Sequence, residues 1–219
     1  MTFTDNFSPP SSLWSNTTGN WTATGGQYYA QQPNDNPGAT TLLPFDLTGY
    51  TLTVTVNGLG DGGIITRENP SHTGDVVLIL GGEGYGQGAR GGNAGNSIYW
   101  ADSLNPSATF NIVPGVFIPG DAYNITVTAV GNTFSAYING STTPVTTFTD
   151  SAAGSDGGVG LYDDQPNMTT GSGFGTPTTF SNFNLTGTTT AAVPEPTTVF
   201  LVGSALAWIV LRKHRTKHC

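Results

Sequence analysis

Apolar and polar residues alternate with a period of two along much of this chain. Tyr50, Leu52, Val54 and Val56 fall on one side of an extended backbone, and Thr51, Thr53 and Thr55 on the other. Tyr123, Ile125, Val127 and Ala129 alternate in the same way with Asn124, Thr126 and Thr128, and Phe134, Ala136 and Ile138 with Ser135, Tyr137 and Asn139. Each pattern predicts a strand with one buried and one wet face. Strand character recurs over 27–32, 40–45, 50–56, 63–67, 75–80, 97–101, 108–113, 122–130, 133–139, 144–149, 158–162 and 179–185. Residues 75–80, Asp-Val-Val-Leu-Ile-Leu, are apolar on both faces, which predicts an interior strand. Gly131-Asn132 and Asn139-Gly140 tolerate positive φ and predict a hairpin from Tyr123 to Ile138 followed by a second tight turn. No repeat of fixed period is visible, and no helical periodicity precedes the last stretch of the chain. The body is predicted to be all-β, an antiparallel jelly-roll β-sandwich.

The C-terminus has a different pattern. Val199–Leu211 carries no charge and is followed at once by Arg212, Lys213, Arg215 and Lys217. At about 1.5 Å per residue the run is roughly 20 Å long, short of a bilayer core of about 30 Å. It is nevertheless apolar on all sides, and the long basic side chains extend its effective span by snorkelling. One C-terminal transmembrane helix over about 197–211 is predicted, its basic end (212–217) held in the cytoplasm and the body on the other side. Upstream, Pro194 and Pro196 fix φ and lack an N–H, so Val193-Pro194-Glu195-Pro196 is expected to stand out as an extended strip. The expected organisation is a sandwich over 1–187, a linker over 188–193 and a tail over 194–219.

The ordered tail resembles the PEP-CTERM sorting signal of Gram-negative bacteria. The resemblance rests on Val193, Pro194, Glu195 and Pro196, the helix from Val199, and the basic cluster of Arg212, Lys213 and Arg215. It implies an exosortase-type processing enzyme as partner and removal of the tail near the marker. It also implies passage from the inner membrane to the cell surface or matrix, in bacteria that make exopolysaccharide. Met1–Phe7 has neither a basic start nor an apolar run, so an export signal is expected upstream of Met1.

Charge sharpens the division. Thirteen of the fourteen acids lie before Val193, against only Arg67 and Arg90, giving the body a net charge of −11 and the tail +3. A body so acidic cannot neutralise phosphates, which excludes nucleic acid as a partner. The single cysteine, Cys219, permits no internal disulfide and is expected to be inert.

A second resemblance runs through the body. The Tyr123–Ile138 hairpin ends in Asn139-Gly140. Asp156-Gly157-Gly158-Val159-Gly160-Leu161-Tyr162 follows, and then Phe180-Ser181-Asn182-Phe183-Asn184-Leu185. This order is similar to the second half of laminin-G-like, concanavalin-A-like jelly rolls. The resemblance implies that the opening Phe3-Thr4-Asp5-Asn6-Phe7 is a first strand pairing with the last.

Candidate chemistry is sparse. Gly86–Gly91 has the form G-x-G-x-x-G, but the strand-like Ser-Ile-Tyr-Trp after it offers no helix N-terminus to a pyrophosphate. The surrounding glycine-rich loop is a candidate sugar contact through Tyr85, Glu83 and Arg90. Trp14, Trp21, Tyr28, Tyr29, Tyr99 and Trp100 complete the pool of stacking aromatics, each more readily explained as core. Asp163 and Asp164, with Asp156, form the best candidate calcium cluster, Asn34-Asp35-Asn36 a second, and the laminin-G resemblance implies calcium at a rim. No Glu-x-Asp-x-x-Glu strand, no Gly-x-Ser-x-Gly elbow and no zinc-ligand set occurs, and His72 sits in a turn-like segment. The expected function is therefore non-enzymatic: an exported, membrane-anchored or surface and matrix protein with polysaccharide as candidate ligand. The alternative is a carbohydrate-active hydrolase using Glu68 with an Asp.

Overall fold

The structure is a computed structural model. It describes residues 1–31, 38–59, 62–68, 74–81, 96–103, 109–118, 120–150, 154, 156–163 and 178–189. In chain order its strands are β1 (Thr2–Asp5), β2 (Ser15–Thr18), β3 (Trp21–Thr24), β4 (Gln27–Ala30), β5 (Ala39–Leu42), β6 (Leu47–Asn57), β7 (Gly62–Glu68) and β8 (Asp75–Gly81). They continue as β9 (Ser97–Asp102), β10 (Thr109–Val113), β11 (Tyr123–Val130), β12 (Thr133–Ile138), β13 (Thr146–Thr149), β14 (Gly158–Asp163) and β15 (Thr179–Thr189). Two antiparallel sheets result. Sheet A has the order β13-β12-β11-β6-β15-β4-β3, with β1 also on β15; sheet B has the order β10-β9-β8-β7-β14-β5-β2.

The predicted alternation is what brings the sheets together. Leu52, Val54 and Val56 of β6, Ile125 and Val127 of β11, and Phe183 and Leu185 of β15 point inward from sheet A. They meet Ile64, Val76, Leu78, Ile98, Trp100, Val159 and Leu161 from sheet B. Burial of such apolar faces at about 25 cal/mol per Å² is the main term holding a sandwich closed. Trp100 is fully buried, lies 6.1 Å from the Phe148 ring, and donates its indole N–H to Thr146 Oγ1 at 3.2 Å. The doubly apolar run 75–80 is β8, interior to sheet B as predicted. Its second face belongs to another buried cluster, formed by Leu42, Ile65, Val77, Ile79, Tyr99, Ala101 and Tyr162 on the outward side of sheet B.

The hairpin forms in the predicted register, Val130↔Thr133 to Ile125↔Ile138, with Gly131, Asn139 and Gly140 at positive φ. β1 pairs β15 from Thr2↔Thr186 to Asp5↔Phe183, as the jelly-roll resemblance implied. Three elements differ from the sequence prediction. β2 and β3 were not foreseen, because Ser15-Asn16-Thr17-Thr18 and Trp21-Thr22-Ala23-Thr24 are short and mostly polar. β15 also runs through Thr188 and Thr189, assigned above to the linker, because Gly49 and Leu47 of β6 offer them partners. The domain accordingly extends to Thr189. Among the described residues no helix is long and apolar enough to cross a membrane, and the predicted helix over 197–211 lies outside them.

Candidate functional site

Sheet B has two chemically different ends. At one end Ala39, Asp163, Gly62 and Leu80 stand side by side in register, as do Gly81 and Ser97. The segments 32–37, 82–95 and 164–177 therefore depart from the same end. Tyr85, Glu83, Arg90, Asp164 and Asn34-Asp35-Asn36 belong to those segments and lie outside the described residues. Asp163 is fully buried as the last residue of β14. Asp156 precedes the first residue of that strand. At about 3.3 Å per residue the two lie roughly 20 Å apart, so one ion cannot take both. Among the described residues no group of three His, Cys, Asp or Glu side chains is disposed to hold a metal ion.

At the other end a β-bulge between Ile65 and Arg67 turns the Arg67 side chain into the sandwich beside Val76. Arg67 is 1% exposed; its Nη1 donates to Gly154 O at 3.0 Å, and its guanidinium lies 5.1 Å from the Phe134 ring centre. Burial lowers its pKa, while Tyr50, Asp156 and Asp150 oppose that shift. Tyr50, also buried, donates its hydroxyl to Thr66 O. The same bulge sends Glu68 outward, opposite Asp75, with Gly158 as its neighbour on β14. The backbone passes so close here that a Cβ on Gly157 would lie 2.1 Å from Glu68 O. Glu68 and Asp75 are thus the carboxyl pair that the strand register brings together.

Most of the predicted stacking aromatics are core. Trp21, Tyr28, Tyr99 and Trp100 are buried. The Phe7 ring stacks on Tyr28 at 4.8 Å, and Trp14 meets Phe183 edge-on at 5.0 Å. The Asp5 carboxylate anchors this cluster by accepting from Phe7 N and Ser11 N at 2.7 Å and from Trp14 Nε1 at 2.8 Å.

The outward face of sheet A went unnoticed in the sequence. Thr147, Ser135, Thr128, Thr51, Thr186 and Thr2 line up across six strands, β13-β12-β11-β6-β15-β1, as an unbroken row of hydroxyls. A second row runs Tyr137, Thr126, Thr53, Asn184, Thr4, with Thr53 Oγ1 and Thr126 Oγ1 3.2 Å apart. Asp5, which turns inward, is the one charged residue on any strand of this sheet. The second row ends at a groove of about 450 Å³ lined by Thr4, Asp5, Asn6, Pro9, Ser11, Asn182, Phe183 and Asn184. A β-bulge between Ser181 and Asn184, with Asn182 at a φ of 52°, opens the groove beside β1.

No family model and no curated protein matches the chain. Solved structures do. A carbohydrate-binding module of Bacillus subtilis, CBM66, aligns with a TM-score of 0.57 at 16% identity, over 78% of this chain and 93% of its own. The β-glucanase of Bacillus licheniformis aligns at 0.57 and 13%, over 85% and 98%. Lectin II from Ulex europaeus aligns at 0.58 and 9%, over 85% and 97%. The likeness is one of fold. The domain shares a β-sandwich fold with these proteins, which include a binding module, a lectin, a glucanase and a Bacillus subtilis protein with a galectin-like fold. Fold likeness does not select among those activities.

Proposed function

We propose that this protein is an exported, non-enzymatic polysaccharide-binding domain held at the bacterial surface. The observation that carries the reading is the groove at the β1–β15 junction, lined chiefly by amides and hydroxyls, on a sandwich of lectin type. Side-chain amides and hydroxyls both donate and accept hydrogen bonds, as sugar hydroxyls do. The C-terminal segment fits the same role. Val193-Pro194-Glu195-Pro196 is the marker for an exosortase-type enzyme, residues 197–211 span the inner membrane in the precursor, and Arg212, Lys213 and Arg215 stay in the cytoplasm. The acidic body then faces the periplasm, and processing delivers it to the cell surface or matrix.

The test is retention of the full chain in native gels containing a panel of polysaccharides, with calcium or with a chelator. Retardation by at least one polysaccharide is expected; mobility unchanged across the panel removes the binding role. Retention lost with the chelator establishes that binding requires calcium. A hydrolase is the second reading, favoured by the Glu68–Asp75 juxtaposition on the outward face of sheet B. Glycosidase carboxyls lie about 5–10 Å apart. Release of reducing ends from a retained polysaccharide, abolished by Glu68→Gln, would establish that reading instead.

A further inference from the structure

We infer that the outward face of sheet A is the docking surface for an extended, uncharged glycan. On this inference the chain lies across the strands along the two polar rows and ends in the groove at Asn182 and Asn184. The inference rests on the polysaccharide-binding reading and adds a surface, a direction and a ligand class to it.

Charge sets this face apart. A soluble domain ordinarily carries about a quarter or more of its surface as Lys, Arg, Glu and Asp, and solvent-facing sheet edges are commonly guarded by lysine. Here no outward residue of any sheet A strand is charged, although the body as a whole bears −11. The acids are elsewhere. Such a face has nothing with which to pair a uronate, sulfate or phosphate, and nothing that pays the desolvation cost of burying one. It complements a ligand whose polar groups are hydroxyls.

The spacing of the rows also suits an extended ligand. Neighbouring strands lie about 4.8 Å apart, so the six-strand row presents a hydroxyl at each step across roughly 24 Å. Along each strand the two rows are about 7 Å apart, which leaves two parallel lines of donors and acceptors. Half-buried Tyr137 begins the second row and supplies an aromatic face, while the groove closes its far end. Threonine's preference for strands and cross-strand threonine pairs worth about 0.2–1 kcal/mol account for hydroxyls on a sheet. They do not account for the missing charge, since Lys and Glu are tolerated on solvent faces too.

The test uses the full chain and three sets of variants in native gels containing either a neutral glucan or galactomannan or an acidic alginate. Thr128→Lys with Thr53→Lys places two cations in the rows. Thr126→Val removes one hydroxyl while keeping the β-branched shape. Glu83→Gln with Arg90→Ala changes the 82–95 segment instead. Retention by the neutral polymer is expected to exceed that by alginate. It should fall at least tenfold in the double-lysine variant and severalfold in Thr126→Val, and stay unchanged in the 82–95 variant, with thermal transitions near that of the parent. Retention that survives both sheet A changes, or is lost only with Glu83 and Arg90, overturns this surface while leaving the polysaccharide-binding reading intact. Stronger retention by alginate overturns the ligand class. Retention by no polymer removes both the surface and the reading beneath it. Thr126→Val keeps the test decisive if the lysine variant unfolds.

Discussion

At the scale of single residues, Arg67 shows how one inserted residue changes a side chain's role. In sequence it shares the parity of Ile65 and should face the same way; the bulge at Ile65–Arg67 places it inside instead, between the sheets and against Phe134. Such bulges leave no mark in a single sequence, since nothing about Ile65-Thr66-Arg67 announces an extra residue. Removing one partner of a buried charge network costs about 3–5 kcal/mol. Arg67→Ala should therefore lower the urea midpoint by that equivalent, with Arg67→Met between it and the parent because the methionine retains the packing. An Arg67→Ala midpoint within error of the parent would show that the guanidinium carries no stability. Tyr50 makes a second prediction. Burial raises its pKa above the ordinary tyrosine value of 10.0. The folded state therefore favours the neutral phenol, and that contribution is whole below about pH 10 and drains away as pH climbs toward the folded value. Tyr28 shifts in the same direction for the same chief cause. The melting temperature should fall as pH rises above about 10, and Tyr50→Phe should flatten that fall. Parallel curves for parent and variant would exclude Tyr50 as its source.

At the scale of elements, the alternating strands and their turns were legible because the signals are local. Period-two patterning and turn residues near positive φ act within a few positions, and β6, β11 and β12 appear where those signals lie. β2 and β3 were not legible because four-residue, Thr-rich strands carry no apolar stripe, and their pairing with β5 and β4 depends on distant chain. The same holds for the candidate site. Its residues come from β1, β6, β11, β12, β13 and β15, and each alone reads as an ordinary wet strand position. β1 protects one edge of β15 from Phe183 to Thr186. An unpaired edge is a template for association. Deleting residues 1–6 should lower the melting temperature and produce oligomers in light scattering; a deletion variant that stays monomeric would show that this edge needs no cover.

At the scale of the whole molecule, the division into an acidic body and a basic apolar tail leads to a processing prediction. Protein recovered from the surface of its native host should end near Val193–Pro196 by mass spectrometry, and uniformly intact Cys219 would contradict the sorting role. By itself the sequence determined the fold class, the interior position of residues 75–80, the charge segregation and the sorting-signal resemblance. Each of these depends on composition or on neighbours within one strand length. Only the tertiary structure decided that Arg67 points inward. It alone aligned hydroxyls from six strands on one uncharged face. Register and bulges are fixed by pairing between residues as much as 184 positions apart, as Thr2 and Thr186 are, and a one-residue slip would reverse every face they define.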